Sequence, residues 1–130
     1  MQSIFDIAGS AMQAQSIRLN VTASNLANAN SVAGTAEQAY KSRQPVFAAI
    51  LKDEIGGVRS MGIVESQRPP EMRFEPGHPM ADEQGYIYAS NVDTVEEMAN
   101  MMSASRSYQT NVELLNTTRQ LMLQTLKMGQ

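Results

Sequence analysis

The chain of 130 residues has room for one ordinary domain. Its formal net charge of −3 gives no indication of a nucleic-acid or anionic-membrane partner, and the lack of cysteine excludes a disulfide scaffold and thiol chemistry. Only 18% of the residues are charged, against about 25% in typical domains. No apolar run reaches the roughly 18 residues that a membrane helix needs, and the first residues do not resemble a secretory signal peptide.

The first segment, residues 1–30, is predicted to be a long amphipathic helix. Ser3, with Asp6 in the first turn, matches the pattern of an N-cap, and Asn30 is a natural C-terminal stop. Large apolar residues recur at seven-residue spacing along one face: Phe5, Met12, Leu19 and Leu26. A helix of about 26 residues would span roughly 39 Å.

The middle segment, residues 31–90, contains all five prolines and is predicted to be a small, irregular antiparallel β insert. The expected strands are Val58–Glu65 and Tyr86–Ala89, with weaker candidates at Tyr40–Arg43 and Met72–Glu75. Turn signals lie at Gly56-Gly57, Pro69-Pro70 and Pro76–Pro79. The run Pro45–Leu51 fits either a strand or a short helical turn, and its periodicity does not decide between them.

The last segment, residues 91–130, is predicted to be a second long helix that runs to Met128 without glycine or proline. Asn91, Asp93 and Thr94 all compete for its N-cap, and Gly129 is the stop signal. At about 35 residues this helix would be roughly 50 Å long. Its heptad-like stripe consists of Met98, Met101, Ser105, Tyr108, Val112, Leu115, Arg119, Met122 and Leu126.

The expected fold is therefore mainly α with a small β insert, in which the two terminal helices pair as a coiled coil or bundle. Two antiparallel helices alone do not cover stripes this wide, and the outer positions of the last helix carry Ser, Thr, Asn and Gln rather than charges. Both features favour further helices from other subunits. The alternative is that these uncharged faces are simply solvated. The cluster of Met98, Met101 and Met102 fits either a partner surface or a plain core.

No constellation of residues points to catalysis, a cofactor or a metal ion. His78 is the only histidine and lies in a Pro-Gly-His-Pro turn, where a structural role is expected. The pairs Asp53-Glu54, Asp82-Glu83 and Glu96-Glu97 fit solvated loop acids and helix N-terminal acids rather than a tuned acid–base pair. The sequence thus predicts a protein that is not an enzyme.

The segment Leu19–Ser31 resembles the N-terminal signature of bacterial flagellar axial proteins, the rod and hook group. The matching residues are Arg18, Leu19, Asn25, Leu26, Ala27, Asn28, Ala29 and Asn30. Ser31 stands where threonine is usual, and the family's Gly-Tyr-Lys is split here between Gly34 and Tyr40-Lys41, as in the proximal-rod branch. Gln44–Leu51, Gly62–Pro70 and Phe74–Gly129 also resemble short proteins of that branch.

The resemblance implies a structural subunit of the proximal rod that polymerises helically, transmits torque and encloses the export channel. Implied partners are other proximal and distal rod proteins, the MS-ring/rod adaptor FliE, the flagellar type III export apparatus and further copies of the chain. Nucleic acid and direct membrane insertion are not expected. Export would use the type III system without a cleaved signal peptide, towards the periplasm-spanning rod of the basal body.

In this setting the helix stripes become inter-subunit surfaces, and the Asn25 and Asn28 amides are expected to contact a neighbouring chain. Two rival functions remain: a soluble coiled-coil adaptor or secretion chaperone, and a peptidoglycan hydrolase.

Overall fold

The computed structural model describes residues 2–52 and 55–129. Two long helices flank a β insert, as predicted. In chain order the elements are α1 (Gln2–Ala27), β1 (Val32–Ala33), β2 (Arg43–Lys52), β3 (Ile55–Glu65), β4 (Glu71–Phe74), β5 (Tyr86–Ala89) and α2 (Thr94–Met128).

Helix α1 already begins at Gln2, so the prediction that Ser3 caps it is wrong: Ser3 lies inside the first turn. At the other end the helix gives way to a turn over residues 28–30. The Asn28 N–H still donates to Ser24 O at 3.1 Å, whereas the Ala29 N–H reaches back only three residues, to Leu26 O at 3.3 Å. This tightening ends the helix three residues before Asn30.

The longest part of the insert is an antiparallel ribbon of β2 and β3. The ambiguous run Pro45–Leu51 is a strand, because it pairs along its whole length with β3, and the register shifts between Val46 and Phe47. Gly56-Gly57 is not the turn that the sequence suggested, since both glycines lie within β3. The predicted loop acids Asp53-Glu54 lie outside the described residues.

A second, three-stranded antiparallel sheet has the order β1-β5-β4. The predicted strands Tyr86–Ala89 and Met72–Glu75 are found here, the latter shifted by one residue. Tyr40–Arg43 is a loop except for its last residue, which opens β2. Gly85 adopts φ +87, and a Cβ at this position would lie 2.9 Å from Phe74 Cε2. The turn before β5 therefore requires glycine.

Helix α2 is capped by Asp93, whose side chain accepts hydrogen bonds from the N–H groups of Val95 and Glu96. This settles the competition among the three N-cap candidates. Glu96 and Glu97 lie in the first turn and Lys127 in the last, which suits the helix dipole. Gly129 is the C-cap, with φ −79, so it stops the helix in a right-handed rather than a left-handed conformation.

Part of the core lies where α1 contacts α2 and the β2–β3 ribbon, and part lies in the β1-β5-β4 sheet. Apart from Val21 and Ile87, the buried apolar residues are alanines: Ala8, Ala14, Ala33, Ala39, Ala89 and Ala104. Small side chains let helix axes and strands approach closely. Close approach is visible at Ser10, whose Oγ accepts from the Val58 N–H at 3.1 Å and lies 3.3 Å from where a Cβ on Gly57 would stand.

Candidate functional site

The asparagine-rich end of α1 is the joint that holds the insert against the helices. Asn25 is 0% exposed and binds both backbone groups of Arg43. Its Nδ2 donates to Arg43 O at 2.8 Å, and its Oδ1 accepts from the Arg43 N–H at 2.9 Å. The same Oδ1 accepts from the Tyr40 hydroxyl at 2.9 Å, and Ser24 Oγ lies 3.1 Å from that hydroxyl. The side chain of Asn25 thus takes the place of a neighbouring strand at the start of β2.

The burial of Asn25 does not support the expectation that its amide contacts a neighbouring chain, and for the half-buried Asn28 that contact stays a prediction. Asn25 bonds outside its own helix, but only to its own chain, and burial leaves its amide no access to another subunit. The Asn28 Nδ2 donates to Ser24 O at 2.9 Å within α1. An amide pattern in a sequence shows that hydrogen bonds are needed and cannot show whether the acceptor belongs to the same chain.

A second asparagine, Asn91, makes the matching joint at the start of α2. Its Oδ1 accepts from the Ser42 N–H at 2.6 Å, and its Nδ2 donates to Arg68 O at 2.8 Å. Ser90 Oγ donates to Ala29 O at 2.6 Å and so ties the ends of α1 and β5 together. From the sequence, Asn91 was a candidate only for the N-cap of α2. Because it lies two residues before the actual cap, Asp93, its side chain can instead hydrogen-bond to the insert.

The other signature residues are placed less uniformly. Arg18 is half-buried and its Nη2 donates to Asn100 Oδ1 at 3.4 Å, which links the two helices. Leu19, Leu26 and Ala29 are half-buried, whereas Ala27 and Asn30 are exposed. The signature therefore combines an interhelical contact, a hydrogen-bonded joint and partly open positions.

The row of buried residues on α2, which we call the seam, follows the predicted stripe only in part. At alternate stripe positions the buried residue is the one directly before the predicted residue. Met101, Tyr108, Leu115 and Met122 are half-buried, as is Val112. However, the fully buried residues are Glu97, Ala104 and Thr118, each directly before a predicted stripe position. Met98 and Leu126 are 57% and 65% exposed. Ala104 and Thr118 are small and allow α1 to approach, whereas Glu97 is a larger buried side chain in the first turn of α2.

On α1 the predicted stripe is half-buried throughout, at Phe5, Met12, Leu19 and Leu26. The fully buried Ala8 and Thr22 lie three or four residues from these positions, at the helical spacing of the same predicted face. Each large apolar residue of the stripe thus keeps part of its surface open.

The last part of α2 carries no fully buried residue. Arg18 of α1 bonds to Asn100 near the start of α2, and Thr118 is the last buried residue of α2. The ten residues that follow Thr118 within α2 span about 15 Å of helix. We call residues 119–128 the overhang. Exposed large apolar residues are concentrated there: Leu121, Leu123, Leu126 and Met128.

Asp82 and His78 of the insert accept hydrogen bonds from backbone N–H groups in turns. His78 Nδ1 accepts from the Met80 N–H at 3.0 Å, and Asp82 Oδ1 accepts from the N–H groups of Gln84 and Tyr86 at 2.9 and 2.8 Å. Within residues 2–52 and 55–129 no group of three or more His, Cys, Asp or Glu side chains could hold a metal ion. Over the same residues, no helix is both long enough and apolar enough to cross a membrane.

Two family models match the two ends of the chain. Residues 5–34 match "Flagella basal body rod protein", and residues 83–128 match "Flagellar basal body rod FlgEFG protein C-terminal". Between them these matches cover both helices and the asparagine-rich joint.

Whole-chain relatives agree with both models. The flagellar basal-body rod protein FlgC of Salmonella typhimurium strain LT2 is 55% identical over 130 residues, which cover 98% of this chain and 97% of that protein. FlgC of Escherichia coli O6:H1 is 56% identical over the same shares. FlgC of Buchnera aphidicola subsp. Acyrthosiphon pisum is 42% identical over 132 residues, again 98% and 97% of the two chains. The resemblance to the rod and hook group is confirmed.

Proposed function

Because the chain belongs to the FlgC family of flagellar basal-body rod proteins, and is a structural rod subunit rather than an enzyme, we propose that it builds the proximal part of the rod. In this proposal it polymerises helically with other rod proteins, encloses the export channel and transmits torque as part of the drive shaft. A surface that neighbouring subunits can cover is then its functional site.

The observation that carries the proposal is the overhang of α2. Beyond Thr118 no described residue of α2 is buried, so its apolar side chains are available to another chain. Leu121 and Leu126 are 54% and 65% exposed. In the whole overhang only Arg119 and Lys127 are charged. Burying such a face against another helix gains apolar contact and desolvates few charges.

The proposal assigns different tasks to the three segments. Residues 1–30 and 91–130 would form the assembly part, in a coiled-coil-like bundle with helices of other subunits. Residues 31–90 would face outward or contact adjacent subunits. The residues proposed to lie between subunits are Phe5, Met12, Leu19, Leu26, Met98, Met101, Tyr108, Val112, Leu115, Met122 and Leu126, and their half-open placement supports this.

We further propose that the direct partners are other proximal and distal rod proteins, the adaptor FliE, the type III export apparatus and copies of the chain itself. The protein would reach the periplasm-spanning rod through that apparatus without a cleaved signal peptide. Family membership supports association with flagellar components in general. The individual partners are inferred from the role.

The test replaces Leu121 by Asp and uses Gln120→Asp as the matched control, since both positions are exposed neighbours on the overhang. Both variants should unfold within about 0.5 kcal/mol of the wild type, because neither site is packed in the folded chain. We expect Leu121→Asp to abolish co-sedimentation with purified rod proteins and to stop swimming when it replaces the native protein in cells. Gln120→Asp should retain both. Normal basal bodies in the Leu121→Asp strain would refute the role of the overhang.

Analytical ultracentrifugation of the wild type alone separates this function from the soluble adaptor or chaperone. A subunit with an uncovered apolar overhang should associate without a closed end point as its concentration rises. A small closed oligomer would favour the adaptor instead.

A further inference from the structure

A polar groove of about 420 Å³ opens where α1, the start of α2 and β2 meet. This volume far exceeds the roughly 30 Å³ share of one water molecule, so a whole side chain fits. The residues that the argument needs are Gln15, Arg18, Arg43, Phe47, Glu97 and Asn100, all of which line it.

Glu97 is the unusual member of this groove. It is only 4% exposed, yet within the described part of the chain its carboxylate takes part in no hydrogen bond or ion pair. The cations beside it are engaged elsewhere: Arg18 with Asn100 at 3.4 Å, and Arg43 with Glu65 at 3.9 Å. The carboxylate oxygens of Glu97 are not among the fully buried atoms that lack a partner, so a donor that enters the groove can reach them.

Gln15 presents a second unmet acceptor on the facing helix. Its Oε1 is buried and receives no hydrogen bond from any described residue. From α2 the groove is lined by two carboxylates, Glu97 and Glu96, of which Glu96 is paired with Arg68 at 3.8 Å, and α1 adds one neutral acceptor. Phe47 contributes an aromatic ring from β2.

We propose that this groove receives an arginine or lysine side chain from a neighbouring subunit, an inference that rests on the proposed role in rod assembly. The cationic head donates to Glu97 and Gln15, and its aliphatic stem packs against Phe47. A metal ion does not fit, because the described residues supply no cluster of three metal ligands. Arg18 and Arg43 repel a free multivalent cation more strongly than they repel a singly charged side chain.

The groove can be tested in the isolated full chain without rod assembly. The probe is N-acetyl-argininamide, followed by two-dimensional NMR, with the uncharged isostere N-acetyl-citrullinamide as the control ligand. We expect saturable shifts at the Gln15 side-chain amide and at Asn100, and none with the citrulline probe. Glu97→Gln should weaken binding by about tenfold or more, because it removes a charge-assisted hydrogen bond. Glu113→Gln, an exposed site far along α2, should bind as the wild type does.

A second variant, Gln15→Met, removes the neutral acceptor and should also weaken binding, so the test does not depend on the folding of one variant. Equal binding by Glu97→Gln and wild type, or equal binding of both probes, would overturn the proposal. So would preferential binding of spermidine, which would make a free polyamine the occupant.

The outcomes also separate the groove from the overhang. Leu121→Asp should bind the arginine probe normally while it fails to co-sediment with rod proteins. If the wild type assembles with rod proteins but its groove does not bind the arginine probe, the proposed groove site is refuted and the proposed function stands. If the wild type binds the probe but does not assemble, the proposed function is refuted and the groove site stands.

Discussion

Replacing Asn25 by Ala tests the joint between α1 and the insert most directly. The substitution deletes an amide that is 0% exposed and makes three hydrogen bonds, with distances of 2.8, 2.9 and 2.9 Å. Alanine is a good helix former, so α1 itself should persist. The change therefore reports on the joint rather than on the helix.

The magnitude follows from the groups left behind. The N–H and C=O of Arg43 both lose their partner in a part-buried place, and each unsatisfied group costs about 1–3 kcal/mol. The Tyr40 hydroxyl retains Ser24 Oγ and loses less. We expect the free energy of unfolding to fall by about 3–5 kcal/mol, out of the roughly 5–15 kcal/mol that stabilises a typical domain.

Urea denaturation followed by circular dichroism measures this change, and hydrogen exchange locates it. The Arg43 amide should be protected in the wild type and should exchange rapidly in Asn25→Ala. Asn28→Ala is the matched control, since Asn28 is half-buried and makes one bond within its own helix; its cost should be below about 1 kcal/mol. A loss in Asn25→Ala no larger than that of the control would refute the assignment of Asn25 as the joint.

Two further substitutions test the turn and the cap that position the insert and α2. Gly85→Ala should lower the free energy of unfolding by about 1–3 kcal/mol, because φ is +87 and the new Cβ would meet Phe74 Cε2 at 2.9 Å. Gly77→Ala is the control and should be nearly neutral, because the space around Gly77 is open. Equal effects of the two substitutions in urea denaturation would contradict the strain argument. Asp93→Ala should cost about 1 kcal/mol, since it removes the acceptor for the Val95 and Glu96 N–H groups. Faster hydrogen exchange at these two amides checks the cap, and an unchanged exchange rate would assign the cap elsewhere.

The sequence was a good guide wherever one local signal acted alone. Alternating apolar residues located Tyr86–Ala89 to the residue, and the glycine-free, proline-free run located α2. The hairpin turn was misplaced because Gly56-Gly57 is a turn signal by composition. In the fold these glycines instead serve close packing, as Gly57 lies against Ser10. A local signal does not distinguish a glycine that turns the chain from one that lets two elements approach.

The stripe of α2 shows the other limit. Two heptad patterns overlap on this helix and share Met101, Tyr108, Leu115 and Met122. Large side chains favour the pattern that includes Met98 and Val112, whereas the fold buries the one that includes Glu97 and Ala104. Hydrophobicity alone ranks the first pattern higher. Where the two patterns differ, the chain buries Ala104 and Thr118 against α1, which contributes small residues such as Ala8 and Ala14.

This choice of seam connects the fold of the subunit to its role. A chain selected to be stable alone would bury its largest apolar residues first, since each removes most surface from water. Here Val95, Met102 and Met128 are 75%, 71% and 87% exposed, while Ala104 is 0% exposed. Small side chains and the asparagine joints hold the subunit together, and the larger apolar side chains remain on its outside. Under the proposed role, intrachain stability and inter-subunit contact would depend on different residues, and the subunit would bury its remaining apolar surface only on assembly.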